Sequence, residues 1–387
     1  MGFEMKNKKK LTLLFSVSTM LIPFVLSGCS NDNNTYTFYL SSSHDNGEGI
    51  DNGKQFAKRI EQIVNQQNAK TNLPKIKINY HLVTDPQVKI SKLKNGSADF
   101  AFIPMGKSID NQLVNYSQPK IQTLTDAFVF DKEDDKFYSD GGTNDPLRII
   151  AEEMQKVSFD KNPIFENWGL SFGWNNIRHD DFYAKDSKTS NYILTDHYRG
   201  MIVLNGTDED IKKAENAWDT RDWESFRNLG IIYGDQSSDG NYKLQELLLK
   251  KHFKKDKNWT LNSDIEKYPD KYLKDDFGNT KMGISSNVIS FTDEASFAWT
   301  PSNKTSYKTP NGKKIKILTV TDPLYYDIGF FSKRITGALL DNFIYAFKYL
   351  EINNLNTYGA SIGYNGYREI KNYQTEVLDK YNKTFNG

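Results

Sequence analysis

Between residues 35 and 106 the chain alternates short β-type runs with helical ones, and no other feature restricts its fold as tightly. Thr35-Tyr36-Thr37-Phe38-Tyr39-Leu40 is β-branched and aromatic and reads as a strand. It stops at Ser41-Ser42-Ser43-His44, with Gly47, Gly49 and Gly53 close behind. Phe56, Ile60 and Ile63 then recur at helical spacing, which puts them on one face. Ile76 to Val83 alternates as a second strand, and residues 85 to 95 form a short helix ending near Gly96. Ala98 to Ile103 is a buried-type strand closed by Pro104-Met105-Gly106. Strand, helix, strand, helix, strand with short links predicts a parallel sheet with right-handed crossovers.

The charged stretch from Asp131 to Asp145 breaks that alternation and marks the first passage into a second lobe. Asp145-Pro146 opens a helix, cap residue then proline, that holds Ile149, Ile150, Met154 and Val157. Tyr198 to Leu204 reads as a strand, and Thr207-Asp208-Glu209-Asp210 caps a helix running through Trp218. Further helical runs carry Trp223 with Phe226, and Leu244 to Leu249. Residues 254 to 282, rich in Lys and Asp, are expected to form an exposed irregular segment. Ile284 to Phe291 is extended, Lys314 to Val320 alternates as a strand, and residues 337–351 and 366–383 are helical. There is no internal repeat of solenoid length. The expectation is two α/β lobes with a ligand cleft between them, the last strand and terminal helices returning to the first. The boundaries place residues 35–130 and 321–387 in lobe 1 and residues 131–320 in lobe 2.

The N-terminus says where such a protein works. Lys6, Lys8, Lys9 and Lys10 precede an uncharged apolar run over residues 11–28, which ends in Leu26-Ser27-Gly28-Cys29. Basic flank, short apolar stretch and small processing residues make residues 1–28 a secretory signal. Cys29 adds a thiol placed to accept lipid, including palmitate, and it is the only cysteine in the chain, so no intrachain disulfide can form. A permanent membrane-spanning anchor is the competing reading, since the run sits near the lower limit for spanning. Residues 29–34 would be a polar tether, and two acyl chains on Cys29 would hold the protein on the outer face of the cell membrane. The formal charge of the chain is +1, and removing the signal leaves a nearly neutral remainder with its charges mixed. That is a poor match for nucleic acid.

Several chemistries are absent from the sequence. It has no phosphate-loop or His-Glu-x-x-His motif. His44, His81, His179, His197 and His252 are scattered, so neither a catalytic constellation nor a metal site is expected. The Asp131 to Asp145 stretch offers many oxygens without calcium-loop spacing; a solvated acidic turn is the favoured reading and calcium the alternative. The loop opened by Ser41, Ser42 and Ser43 precedes a helix start, where backbone N–H groups attract anions, although Gly and Ser also make ordinary turns. Phe297-Ala298-Trp299-Thr300 and Asp322 to Asp327 both follow predicted strands, where two-lobed α/β proteins bind ligands. Trp299 and Tyr326 could face a flat cationic ligand with Asp327 as counter-charge, or could be core. Met105, Tyr198, Arg199 and Thr300 complete the set of candidate ligand contacts.

Longer strings carry a family resemblance. They include Phe128-Val129-Phe130-Asp131-Lys132, Tyr198-Arg199-Gly200-Met201-Ile202, Ala217-Trp218-Asp219 and Ser296-Phe297-Ala298-Trp299-Thr300. Tyr326-Asp327, Thr357-Tyr358-Gly359 and Gly363-Tyr364-Asn365-Gly366-Tyr367 follow in order. Over residues 125–375 the chain resembles the mycoplasmal high-affinity transport system lipoproteins, whose named member is the extracytoplasmic thiamine-binding lipoprotein Cypl. The resemblance implies an α/β, two-lobed type II periplasmic-binding-protein-like fold and a solute-binding role beside an ABC permease and ATPase. It also implies thiamine or thiamine diphosphate as transported ligand, held near Tyr198, Trp299, Tyr326 and Asp327, with no cofactor and no enzymatic activity. The loop Ser41-Ser42-Ser43-His44 departs from the family's loop there, which carries a tryptophan in one member. A binder of phosphonate or another organic anion on the same fold, and a surface adhesion lipoprotein, are the alternatives.

Overall fold

The computed structural model describes residues 34–42, 52–160, 182–275, 281–294, 296 and 312–385. The signal segment, Cys29, Ser43, Trp299 and Thr300 lie outside the described residues.

The opening alternation folds as predicted. In β1 (Thr35–Leu40), Tyr36, Phe38 and Leu40 enter one core while Tyr39 enters another on the opposite face, as strand geometry requires. The helix α1 (Asn52–Lys70) covers the first face with Phe56, Ile60, Ile63 and Val64. After β2 (Lys77–Leu82), Asp85 caps α2 (Pro86–Lys94) by accepting from the Gln87 N–H, and Pro86 occupies the first turn. Ile90 and Leu93 of α2 bury into the second face. In β3 (Phe100–Ile103), Phe100 and Phe102 point to the α1 side and Ala101 and Ile103 to the α2 side. Next come β4 (Ser117–Asp126) and, after residues that include the helix Pro146–Gln155, the two-residue β5 (Leu194–Thr195).

The second lobe is built on β6 (His197–Gly206), β7 (Ile231–Tyr233), β8 (Tyr272–Lys274), β9 (Ile289–Asp293) and β10 (Lys314–Tyr325). Their order is β10-β6-β9-β7-β8. The chain then returns through β11 (Ile328–Ser332) and β12 (Gly366–Glu369) to complete a first sheet of order β12-β4-β11-β3-β1-β2, with β5 beside β4. The strands β1, β2 and β3 pair in parallel, whereas β11 and β12 run antiparallel to their neighbours.

Three expectations change. The strand that begins at Lys314 stays in the second sheet through Tyr325, and it is β11 that returns. Residues 366–369 are a strand, hydrogen-bonded to β4, and helix begins only further on. The segment 254–282 is not irregular throughout. Thr260 closes a capping box on the helix Leu261–Lys267, Leu261 is fully buried, and Asp264 accepts from the Tyr272 hydroxyl at 2.5 Å. The lysines that give this segment its polar look sit on its outer faces, and a few anchors determine its structure.

Much of the aromatic content is core. Phe38, Phe100, Phe102, Phe331, Phe343 and Phe347 interlock in the first lobe, with ring centroids 4.7–6.1 Å apart. The second lobe has a separate core around Trp218, Phe226, Phe253 and Phe291. Two sheets with their own cores give the two-lobed α/β architecture.

Candidate functional site

The chain passes between the sheets at Asp126–Asp131, at Asp196 and at Tyr326-Asp327, and a buried polar network gathers these passages. Arg199 is fully buried, and its Nε donates to Asp131 Oδ2 at 2.8 Å. Its Nη1 donates to the Lys136 and Thr321 carbonyls at 2.8 and 3.1 Å, and Nη2 to the Glu133 carbonyl at 3.3 Å. His197 Nε2 lies 3.1 Å from the same Asp131 oxygen, and the Tyr326 N–H donates to the Asp196 carbonyl at 2.9 Å. Asp196 in turn accepts from Lys380 at 2.9 Å and from Arg368. Burial would raise the pKa of Asp131, but Arg199 and His197 hold it below the usual carboxylate range. Burial would lower that of His197, but Asp131 and Asp196 outweigh it and push it up. Burial, with Asp131 nearby, drives the Glu294 carboxyl well above its ordinary value.

Beside this network the carboxyl edge of the first sheet forms a corner where several polar groups meet. Parallel pairing aligns Leu40 with Leu82, and antiparallel pairing sets Ile328 opposite Ile103. Ser41, the start of α2 and Asp327 therefore emerge along one edge. Asp327 Oδ2 accepts from the Tyr364 hydroxyl at 2.5 Å, and Oδ1 has no hydrogen-bond partner among the described residues. Burial raises the Asp327 pKa, and Lys89 and Tyr364 pull it back. Lys89 is only 2% exposed, and its Nζ donates to Ser41 Oγ at 2.9 Å. Tyr358 donates to the Ser41 carbonyl at 3.0 Å and packs its ring on Phe56 with centroids 4.8 Å apart. Gly359 permits this turn, since a Cβ there would lie 2.1 Å from the Tyr364 carbonyl.

The second lobe meets this corner through Tyr198 at the start of β6. Its ring lies 5.2 Å from that of Tyr326, tilted by 31°. Burial, with Asp239, Tyr326, Asp293 and Asp327 around it, raises the Tyr198 pKa well above its ordinary value. Gly240 lets the loop after β7 reach this ring, because a Cβ there would stand 3.2 Å from it. A ring slipped between two others at about 3.5 Å on each side needs centroids about 7 Å apart. At 5.2 Å the two tyrosines leave no room for a ring between them.

Of the residues predicted from sequence, Ser41, Tyr198, Tyr326 and Asp327 come together here. Ser42 is exposed next to them. Arg199 lies deeper, with its donors engaged by protein oxygens. Met105 is 1% exposed and packs in the core cluster that contains Ile103 and Tyr325. The acidic stretch disperses. Asp131 holds Arg199, Asp134 holds Lys380 at 2.6 Å, and Asp145 accepts from four backbone N–H groups, those of Ser139, Asp140, Gly141 and Leu147. Lys89 and Tyr364 were not among the predicted residues. The signal for Lys89 is its helical spacing with Leu93, which places a lysine on the buried face of α2.

Known proteins of similar sequence share this fold. Residues 51–386 match a family described as CypI, extracytoplasmic thiamine-binding lipoprotein. The high affinity transport system protein p37 of Mesomycoplasma hyorhinis is 33% identical over 336 residues, 85% of this chain and 81% of its own length. The p37 protein of Mycoplasma pneumoniae is 32% identical over 402 residues, 98% of this chain and all of its own. A solved structure of the Mycoplasma hyorhinis protein Mh-p37, described as a candidate thiamine pyrophosphate transporter, superposes with a TM-score of 0.79 at 32% identity. That superposition covers 91% of this chain and 98% of the other. Members of this group bind and transport solutes and are not enzymes. Matched over most of its length, this chain belongs to the family of extracytoplasmic thiamine-binding lipoproteins.

Proposed function

We propose that the protein captures thiamine or thiamine diphosphate outside the membrane and delivers it to an ABC permease and its ATPase, tethered through lipid on Cys29. The observation that carries this reading is the Tyr198–Tyr326 pair beside the half-satisfied carboxylate of Asp327, where the two lobes meet. A cationic ring packed against Tyr198 would gain about 0.5–2 kcal/mol, and Asp327 supplies the opposite charge. Trp299, carried over from the family resemblance, would add a second ring. The name of the matching family and the description of Mh-p37 support the same ligand class.

A second reading, capture of a phosphonate or other organic anion, draws on the buried Lys89 ammonium. Isothermal titration of the purified protein with thiamine, thiamine diphosphate and methylphosphonate separates the two, with mass spectrometry of any co-purified small molecule as an independent check. Heat with a thiamine compound is expected. Binding of methylphosphonate alone would replace the first reading with the second.

A further inference from the structure

We propose that Lys89 and Ser41 form an oxyanion subsite that receives the phosphoryl end of the ligand and so favours phosphorylated over free thiamine. The inference rests on the thiamine-class reading above, and adds which end of that ligand faces the first lobe.

A lysine is almost never fully buried unless it is paired. Lys89 is 2% exposed, yet among the described residues it forms no ion pair, and Ser41 Oγ is its one hydrogen-bond partner. An ammonium has three N–H donors, so two remain without an acceptor. Other lysines of this protein near the seam are treated differently. Lys251 pairs with Asp322 at 2.8 Å, and Lys380 with both Asp134 and Asp196. Withdrawing an ammonium from water costs several kcal/mol when nothing compensates it. Within the protein, Asp327 and Asp85 compensate Lys89 only by attraction at longer range, and burial depresses the lysine pKa.

Ser41 completes the arrangement. Its Oγ accepts from Lys89, so its own proton is free to donate, and its carbonyl is held by the Tyr358 hydroxyl. Two N–H donors and one O–H donor thus lie at the carboxyl end of β1, next to Asp327. An ammonium serves phosphoryl oxygens as a point charge. Thiamine itself carries only positive charge, and its phosphate esters add the negative group that such a corner can hold. Lys89 therefore repels the cationic rings, which belong with Asp327 and the tyrosines, and attracts the phosphorylated tail. Ligand orientation and selectivity follow from the same pair of opposite charges.

The test is isothermal titration of the full protein and its Lys89→Met variant with thiamine diphosphate, thiamine and inorganic pyrophosphate, alongside thermal melts. Lys89→Met is expected to weaken thiamine diphosphate by about 10-fold or more, as loss of a charged hydrogen bond does, while thiamine changes by less than about 3-fold. Lys89→Arg keeps the charge and should retain most of the preference. An equal loss for both thiamine forms, or no loss, overturns the subsite and leaves the thiamine reading intact. If the wild type takes neither thiamine form but binds pyrophosphate, and Lys89→Met abolishes that, the subsite stands and the thiamine reading falls. Wild-type protein that binds none of the three overturns the subsite. Should Lys89→Met fail to fold, Ser41→Ala carries the same comparison.

Discussion

Removing the Asp131 carboxylate tests whether the seam is held by charge. Asp131 is 3% exposed and its Oδ2 accepts from Arg199 at 2.8 Å and faces His197 at 3.1 Å. In Asp131→Ala the fully buried guanidinium keeps its carbonyl acceptors but loses its counter-charge. Breaking a buried pair by deleting one partner costs about 3–5 kcal/mol. Unfolding entropy of about 2.1 cal/mol/K per residue gives about 0.7 kcal/mol/K for a fold of this length. The melting temperature should therefore fall by about 4–7 °C. Replacing both partners, as Asp131→Leu with Arg199→Met, should cost less than Asp131→Ala alone, because no charge is left stranded. Differential scanning calorimetry of the wild type, the single variants and the double variant reads both quantities. A drop below about 1.5 °C in Asp131→Ala would mean that the carbonyls alone hold Arg199, and the argument from stranded charge would fail.

Three other outcomes follow from named groups. The two buried histidines among the described residues should shape stability in opposite directions. Burial lowers the His252 pKa to about 4, so its contribution is present above the unfolded value near 6.5 and fades as pH falls towards 4. His197, raised despite burial by Asp131 and Asp196, contributes fully below about 6.5 and loses this as pH rises through its folded value. Urea midpoints from pH 4 to 9 should show the acid limb flattened in His252→Gln and the alkaline limb in His197→Gln; unchanged limbs would refute the assignment. Asp145→Ala leaves four backbone N–H groups short of their acceptor and should destabilise by about 2 kcal/mol or more, read as a fall in urea midpoint. Asp327→Asn should weaken a cationic ligand about 10-fold by titration calorimetry, and an unchanged affinity would remove Asp327 from the binding role.

The β1-to-β3 half of the first sheet was readable because each strand alternates and each helix carries its own start signal. Asp85-Pro86 and Asp145-Pro146 cap helices as their chemistry predicts. The strand β4 escaped because it looks polar and contains Pro119. In the sheet, Pro119 sits where the register of β11 shifts between Gly329 and Phe330, a place where a missing N–H is tolerated. Its polar residues are buried for a reason that emerges only in three dimensions. Thr123 Oγ1 donates to the Asp327 carbonyl at 2.9 Å and Gln122 to that of Tyr326 at 3.1 Å, so they fasten the passage that carries the site. Tyr326 and Asp327 stood out as a short string after a predicted strand, and Tyr198 through the family resemblance. Lys89 was not, because a lysine in a short helix is ordinarily solvated, and only the fold turns this one inward.

Arg199 and Lys89 show why burial of a cation does not by itself identify a site. Both are nearly or fully buried and both lie near the seam. Arg199 presents a rigid planar fork, and four of its five N–H donors meet a carboxylate and carbonyls from two segments, so its charge is already answered within the protein. Lys89 is held by one hydroxyl, and the nearby carboxylate is itself half-satisfied. A protein selected only for stability would close such a gap, since an uncompensated buried charge is costly. Keeping the ammonium and the carboxylate close but unpaired sets out separate places for a negative and a positive group. A molecule carrying both, with a ring between them, would satisfy the two charges at once and draw the lobes that hold Tyr198 and Asp327 onto the same ligand.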